Sequence, residues 1–408
     1  MGSLPLDALG QHPLLYKLYT QISCVFALSH ETEEDGIVRS LQFGLERLAK
    51  AFPWIAGNVI YDKTSEEYCI VPSGAIALII HDIRGDNSSL TMDGLRESGF
   101  PCRMLDERII APCLTINTPE TNKGLAAYSS PVLALQANFI TDGLILTIVA
   151  QHNVTDMTGQ DHIIGLLSKA CHGIPFTREE QAIGMMDRRR VVPLLPESYN
   201  IWNPGPELDF HVHKPRETDF ATSTDSNIAT ATWACVNFPQ LSLEQLKSWA
   251  TMTKDPSTPF TPYAHFFGNK VSPASGRRAS RGGKASYLRS LLDPDVVDLV
   301  YQARAFNTFV ARAGGKKATA SFTANMNPSS DLMTSSWSKI GCYDYEFNLG
   351  LGKPEAVRRP GFSSFECLVY LMPRSPKGEL IAQVCLRDED WDRLKGDEEF
   401  TKFAQYVG

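Results

Sequence analysis

"PVLALQANFITDGLILTIVAQHNVTDMTGQDHIIGLLSKACHG" (Pro131–Gly173) carries three structural signals in one uninterrupted stretch. Two apolar runs flank Asp142-Gly143, residue types that tolerate the left-handed backbone of a tight hairpin, so the runs read as two antiparallel strands. The second run continues to His152. From Thr158 the apolar residues recur at helical spacing and stop at Gly173, a residue that ends helices. His152 therefore stands where a buried strand gives way to a turn and a helix, the kind of place from which a rigid scaffold presents a functional side chain. Asp156 follows one helical turn later.

The same two periods recur on either side. "GIVRSLQFGLERLAKAFPWIAGNV" (Gly36–Val59) is helical from Ile37 to Phe52 and stops at Pro53. "ATWACVNFP" (Ala231–Pro239) reads as a strand, followed by a capped helix in "LSLEQLKSWATMT". A helical pattern returns between Tyr287 and Ala313. "ECLVYLMPRSPKGELIAQVCL" (Glu366–Leu386) is a second hairpin with a Pro/Gly turn, and "DEDWDRLKGDEEFTKFAQYV" (Asp388–Val407) reads as one closing helix. Strands and helices mix throughout, which predicts a layered α/β fold. Residues 188–219 are rich in Pro, Arg and Glu and read as a long crossover between a domain at 1–187 and another at 220–408.

Composition narrows the class. The chain has 408 residues, 43% of them hydrophobic, enough for two domains, and a net charge of -7 that argues against nucleic-acid or anionic-membrane partners. The short basic runs Arg188–Arg190 and Arg277–Arg278 read as solvated loops. The first residues lack the cationic and apolar regions of a secretion signal, and the apolar run around Leu144–Ala150 is too short to span a bilayer. Nine cysteines without CxxC spacing read as reduced, mostly buried thiols of a cytoplasmic protein.

An imidazole titrates near neutrality, so His152 at a strand end suits a general base. Asp156 either orients that ring or turns away to pair with a distant Arg, leaving a backbone carbonyl to hold the imidazole; the residues leave both open. His211 and His213 beside Asp209 lack further ligands at metal spacing, so no metal is expected and a solvated crossover is the plainer reading. "GLGKPE" (Gly350–Glu355) lacks the first Gly and the final Ser/Thr of a phosphate-binding loop, and no GxSxG or Cys-centred nucleophile motif occurs.

"HNVTD" (His152–Asp156) and "SSWSKIGCYDYEFNLGLGKPE" (Ser335–Glu355), taken together, resemble the paired motifs of the BAHD superfamily of acyl-CoA-dependent acyltransferases. Those proteins carry a central HxxxD and a C-terminal DFGWG-like segment preceded by Ser/Thr-Ser-Trp. The likeness is most detailed to the fungal trichothecene 3-O-acetyltransferase branch. It extends over "LDALGQHPLLYKLYTQIS", "PWIAGNV", "GQDHIIGLLSKAC" and nearly all of the chain from Ser335 to Gly408.

The resemblance implies two chloramphenicol-acetyltransferase-like domains with a channel between them, entered by acyl-CoA from one face and by an acceptor alcohol from the other. It implies an O-acetyltransferase of fungal secondary metabolism acting on a trichothecene-like sesquiterpenoid, with acetyl-CoA as co-substrate, no bound cofactor, and a monomeric state. His152 matches the family's base, Trp337 an oxyanion donor, and Ser335 a hydroxyl on the acceptor side. Asp156 matches a structural aspartate held in an ion pair. Glu346, Phe347 and Gly350 fall in the structural DFGWG-like segment, where Glu346 replaces Asp and Asn348 replaces the first Gly, with a strained turn expected. Met157 stands where Gly often follows HxxxD.

A larger departure is "FFGNKVSPASGRRASRGGKAS" (Phe266–Ser286), Gly-, Ser- and Arg-rich, where the family has an Asp-x-Arg segment and a wall of the coenzyme A channel. It implies an alternative, a catalytically impaired relative with a disrupted channel. A condensation-type domain is a further alternative, but such domains carry a second His before the catalytic one, and here that position is Gln151.

Overall fold

The structure is a computed structural model that describes residues 2–16, 18–29, 31–85, 90–117, 130–209, 211–212, 230–252, 298–321 and 331–408. Phe266–Ser286, Arg277–Arg278, His213 and the start of the Tyr287–Ala313 pattern lie outside the described residues.

Two five-stranded sheets dominate. The first contains β2 (Tyr19–Ala27), β5 (Ala77–Asp82), β6 (Leu133–Ile140), β7 (Gly143–Gln151) and β10 (Ala356–Arg358), in the order β10-β2-β7-β6-β5. The second contains β8 (Ala231–Phe238), β9 (Met333–Ser336), β11 (Leu368–Leu371), β12 (Leu380–Arg387) and β13 (Gln405–Tyr406), in the order β13-β8-β12-β11-β9. A small sheet of β1 (Leu4–Pro5), β4 (Glu67–Pro72) and β3 (Gly57–Asp62) lies beside the first. The fold is the expected layered α/β type in two domains.

The hairpin at Asp142 is as expected. β6 and β7 pair from Leu133 opposite Ala150 to Ile140 opposite Gly143, and Asp142 takes a φ of 55° in the turn. β7 is buried along its whole length because both faces of its sheet are covered. On one face lie α1 (Glu34–Ala51) and α2 (Met157–Cys171). Ile37, Leu41, Leu45 and Leu48 of α1 and Ile163, Ile164 and Leu167 of α2 share a core with Ile148 and Ala150 of β7. Each such side chain contributes roughly 1.5–3 kcal/mol by leaving water. The same core continues to Cys235 on β8, Ile381 on β12 and Trp337, so the two sheets share it.

Four differences from the sequence reading stand out. The closing segment is not one helix. It breaks after Lys395 at Gly396, a poor helix former, and Asp397 starts a new turn by accepting from the Glu399 and Phe400 amides. The chain then ends as β13 against β8. The sheets also do not divide at one point of the sequence: β10, from the last quarter of the chain, is the edge strand of the first sheet, with Ala356 opposite Val25 and Arg358 opposite Ser23. Arg188 is not a solvated residue, for its guanidinium lies 4.3 Å above the Trp54 ring. His211 is buried rather than solvated, edge-on to Phe306 at 5.6 Å.

All nine cysteines are free, and all but Cys367 are buried. No described helix is long and apolar enough to cross a membrane.

Candidate active site

β7 ends at Gln151, and His152 opens the turn that leads into α2. The turn is fastened by its backbone. The His152 amide donates to the Leu18 carbonyl at 2.9 Å, and the Val154 and Thr155 amides both donate to Gln151. Asn153 reaches the Gly10 carbonyl, and a Cβ at Gly10 would lie 2.6 Å from the Asn153 carbonyl oxygen, so the close approach needs glycine.

His152 is half-buried, its Nδ1 is shielded from water, and that atom makes no well-formed hydrogen bond with any described residue. Burial pushes its pKa below the ordinary histidine value, and the nearby Arg359 guanidinium adds to the lowering. The ring's own backbone and the Asp156 carboxylate oppose it. The net effect is a neutral imidazole at neutral pH, able to accept a proton.

Asp156 takes neither of the two roles left open by the sequence. It is exposed, and its Oδ1 accepts from the Gly159 amide at 2.8 Å, capping α2. Among the described residues it pairs with no cation, so the expected buried ion pair is absent there. A cap of this type stabilises by about 1 kcal/mol, whereas a buried carboxylate stripped of its partner costs about 3–5 kcal/mol. Asp156→Ala is therefore expected to lower the unfolding free energy by about 1 kcal/mol. Urea titration of both proteins checks this, and a loss several times larger would restore the ion-pair reading.

Ser335 and Trp337 are brought together. The parallel register of β9 and β11 sets Ser335 beside Tyr370, and the Trp337 indole N–H donates to the Ser335 hydroxyl at 3.0 Å. The Trp337 ring packs on Tyr370 at 4.9 Å between centroids. On Tyr370 also lies Arg359, 4.8 Å from that ring and 3.7 Å from Phe362. Its Nη2 donates to the Thr115 hydroxyl at 2.9 Å. A continuous set of side chains thus runs from Ser335 and Trp337 through Tyr370 to Arg359, whose charge is felt at His152.

Glu346, Phe347 and Gly350 are elsewhere, on a loop docked against α1 and α2. Phe347 is fully buried, edge-on to Phe26 at 6.4 Å, and the Ser40 hydroxyl donates to the Phe347 and Asn348 carbonyls. The expected turn strain is visible: Phe347, Asn348 and Gly350 take φ of 53°, 52° and 73°. Asn tolerates this region better than most residues with a Cβ.

The sequence reading missed Arg359, Arg188 and Asp161. Asp161, on α2, accepts from the Gly341 amide and the Cys342 thiol and so ties the loop after Trp337 to the helix that follows His152. Its burial on a helix with apolar neighbours on the same face was the one signal available. Among the described residues no group of three or more His, Cys, Asp or Glu is placed to hold a metal ion.

The chain is similar to known proteins. Residues 18–171 match the family described as trichothecene 3-O-acetyltransferase-like N-terminal domain. A trichothecene 3-O-acetyltransferase of Saccharomyces cerevisiae is 41% identical over 99% of this chain and 95% of its own. Its counterpart in Fusarium sporotrichioides is 40% identical over 99% of this chain and 97% of its own. A crystal structure of that Fusarium protein complexed with coenzyme A and T-2 matches the whole of both chains, with a TM-score of 0.85 at 38% identity. The fold is also that of vinorine synthase, with a TM-score of 0.60 at 13% identity over 99% of this chain and 94% of that one. The chain belongs to the trichothecene 3-O-acetyltransferase-like family of acyl-CoA-dependent O-acyltransferases.

Proposed function

We propose that this enzyme transfers an acetyl group from acetyl-CoA to a hydroxyl of a trichothecene-like sesquiterpenoid, with His152 as general base. The observation that carries the reading is the His152 imidazole: half-buried with Nδ1 shielded and unpartnered among the described residues, kept neutral, and presented by a fastened turn at the end of β7 in a chain of this family. His152 removes the acceptor hydroxyl proton as the oxygen attacks the thioester carbonyl. The carbonyl electrons move onto its oxygen and form a tetrahedral oxyanion. The indole N–H of Trp337, resting on the neutral Ser335 hydroxyl, has a stronger acceptor in that oxyanion and turns to it. The oxyanion collapses, the C–S bond breaks, and the coenzyme A thiolate takes the proton back from the imidazolium. Asp156 contributes by capping α2.

The test is acetyl transfer from acetyl-CoA to a trichothecene with a free hydroxyl, followed across pH. A base must be neutral to act, and the His152 pKa lies below 6.5. Activity is therefore expected to decline on the acid side with a midpoint below the ordinary histidine value. A decline centred above 6.5, or no transfer at saturating acetyl-CoA, would count against the reading.

A second reading, an enzyme impaired in coenzyme A binding, is favoured by one observation. The alignment with the yeast relative runs over 459 positions, more than the 408 residues of this chain, so the relative carries chain that is missing here. Calorimetric titration with acetyl-CoA separates the two, since an intact channel binds it and a disrupted one does not.

A further inference from the structure

The turn that presents His152 is held from outside by a residue that the reaction scheme does not use. Arg188 lies in the segment that follows the helix after His152, and its Nη1 donates to the Val154 carbonyl, two residues beyond His152. The guanidinium stacks 4.3 Å above the Trp54 ring. That ring is itself fixed, because the Trp54 indole N–H donates to the Gly184 carbonyl at 2.7 Å. Burial lowers the Arg188 pKa, opposed by the distant Asp7 carboxylate, and no described carboxylate forms a salt bridge with it. A cation in such a place without an ion-pair partner costs stability. What it gains is a rigid planar donor aimed at one backbone carbonyl. Its neighbours Arg189 and Arg190 instead pair with Asp187 on the surface.

We propose that Arg188 is a positioning residue for acyl transfer: by clamping the Val154 carbonyl against the Trp54 platform, it fixes the turn that aims the His152 imidazole. The proposal rests on His152 acting as the base. A turn carrying a base leaves little tolerance, since a displacement of about 1 Å costs up to 10²-fold in rate. Loss of the clamp loosens the Val154 carbonyl side of the turn, while the Leu18 carbonyl still holds the His152 amide and the Val154 and Thr155 amides still reach Gln151. The imidazole is then retained but misaimed, which lowers kcat more than it raises KM.

The experiment compares the parent enzyme with Arg188→Met, Arg188→Lys, Arg189→Met and His152→Ala. Four quantities are read: kcat, KM for acetyl-CoA, the thermal midpoint, and the rate at which diethyl pyrocarbonate modifies His152, followed by peptide mass spectrometry. Arg188→Met is expected to lower kcat by about 10-fold or more with KM for acetyl-CoA little changed, and to raise the His152 modification rate severalfold. Arg188→Lys, which keeps a donor and the charge, should recover part of both losses, and Arg189→Met should behave as the parent. Should the Met variant fail to fold, the Lys variant still decides through its kcat at an unchanged thermal midpoint. The proposal is overturned if both Arg188 variants lower only the thermal midpoint and leave kcat and His152 modification at parental values. If His152→Ala turns over normally, the base reading falls, and the modification rate alone judges whether Arg188 positions the turn. The modification rate also serves if the parent turns over too slowly for kinetics.

Discussion

Replacing His152 by alanine is expected to cut turnover by at least ~10²-fold and to leave the protein folded. The two halves of that expectation have separate physical grounds. The imidazole Nδ1 has no well-formed partner among the described residues, so its removal orphans no hydrogen bond there. The bond that fastens the turn comes from the backbone amide of residue 152 and survives the substitution. Turnover, in contrast, loses the group that takes the hydroxyl proton, and lost general bases cost ~10²–10⁴-fold. Release of coenzyme A, followed by a thiol reagent, measures the rate, and a thermal melt checks the fold. The residual activity should also lose its decline at acid pH, since the titrating group is gone. Unchanged turnover would remove His152 from the chemistry.

Arg359→Met is expected to lower the unfolding free energy by about 1–3 kcal/mol, the largest stability effect foreseen for a single substitution. Arg359 is 2% exposed and Glu107 5% exposed, and both bond the Thr115 hydroxyl. Glu107 also accepts from the Thr115 amide at 2.7 Å and from Gln21 Nε2 at 2.8 Å. Burial raises the Glu107 pKa, and the Arg359 cation pulls it back down. Without the cation the pKa rises further, and at neutral pH the buried carboxylate is left with only its hydrogen bonds from Thr115 and Gln21. An acid whose folded pKa is raised is stabilised where it is protonated, so the loss should shrink as pH falls and Glu107 takes up its proton. Adding Glu107→Gln to the variant should recover much of the stability. Turnover should fall as well, because Arg359 braces the Tyr370 ring on which Trp337 packs. Urea unfolding at neutral and mildly acid pH is the measurement, and a pH-independent loss under about 1 kcal/mol would contradict the account.

What the sequence disclosed was mostly local. The β6–β7 hairpin was legible because Asp142-Gly143 states its own turn chemistry and the flanking runs state their burial. The helix from Met157 was legible from its period, and Asp156 as its cap follows from the ordinary start signal of a helix, a reading passed over in favour of an ion pair. The break at Gly396 was hidden because the surrounding charged residues continue a helical pattern on both sides. Strand β10 was out of reach: three residues have no period, and their partners lie at the other end of the chain. Arg188 and Arg359 were missed for a common reason. Each stands among adjacent arginines whose composition suggests solvent; Arg188 alone of its run lies over Trp54, whereas Arg358 and Arg359 are both buried, Arg359 against Phe362 and Tyr370.

β10 and the loop bearing Phe347 have a consequence for how the molecule comes to exist. The ribosome delivers β2 and α1 first, then β6, β7 and α2, yet the edge of β2 stays unpaired until Ala356–Arg358 emerge. Until then the apolar site that Phe347 fills between Phe26 and the two helices is also empty. For most of its synthesis the nascent chain therefore carries an open strand edge beside an unfilled apolar gap, the combination most prone to wrong pairing. Completion depends on pairing between segments far apart in sequence, Ser23–Val25 with Ala356–Arg358, the kind of non-local contact that slows folding. By the same logic, cutting the gene at the crossover yields two fragments that each lack something the other holds.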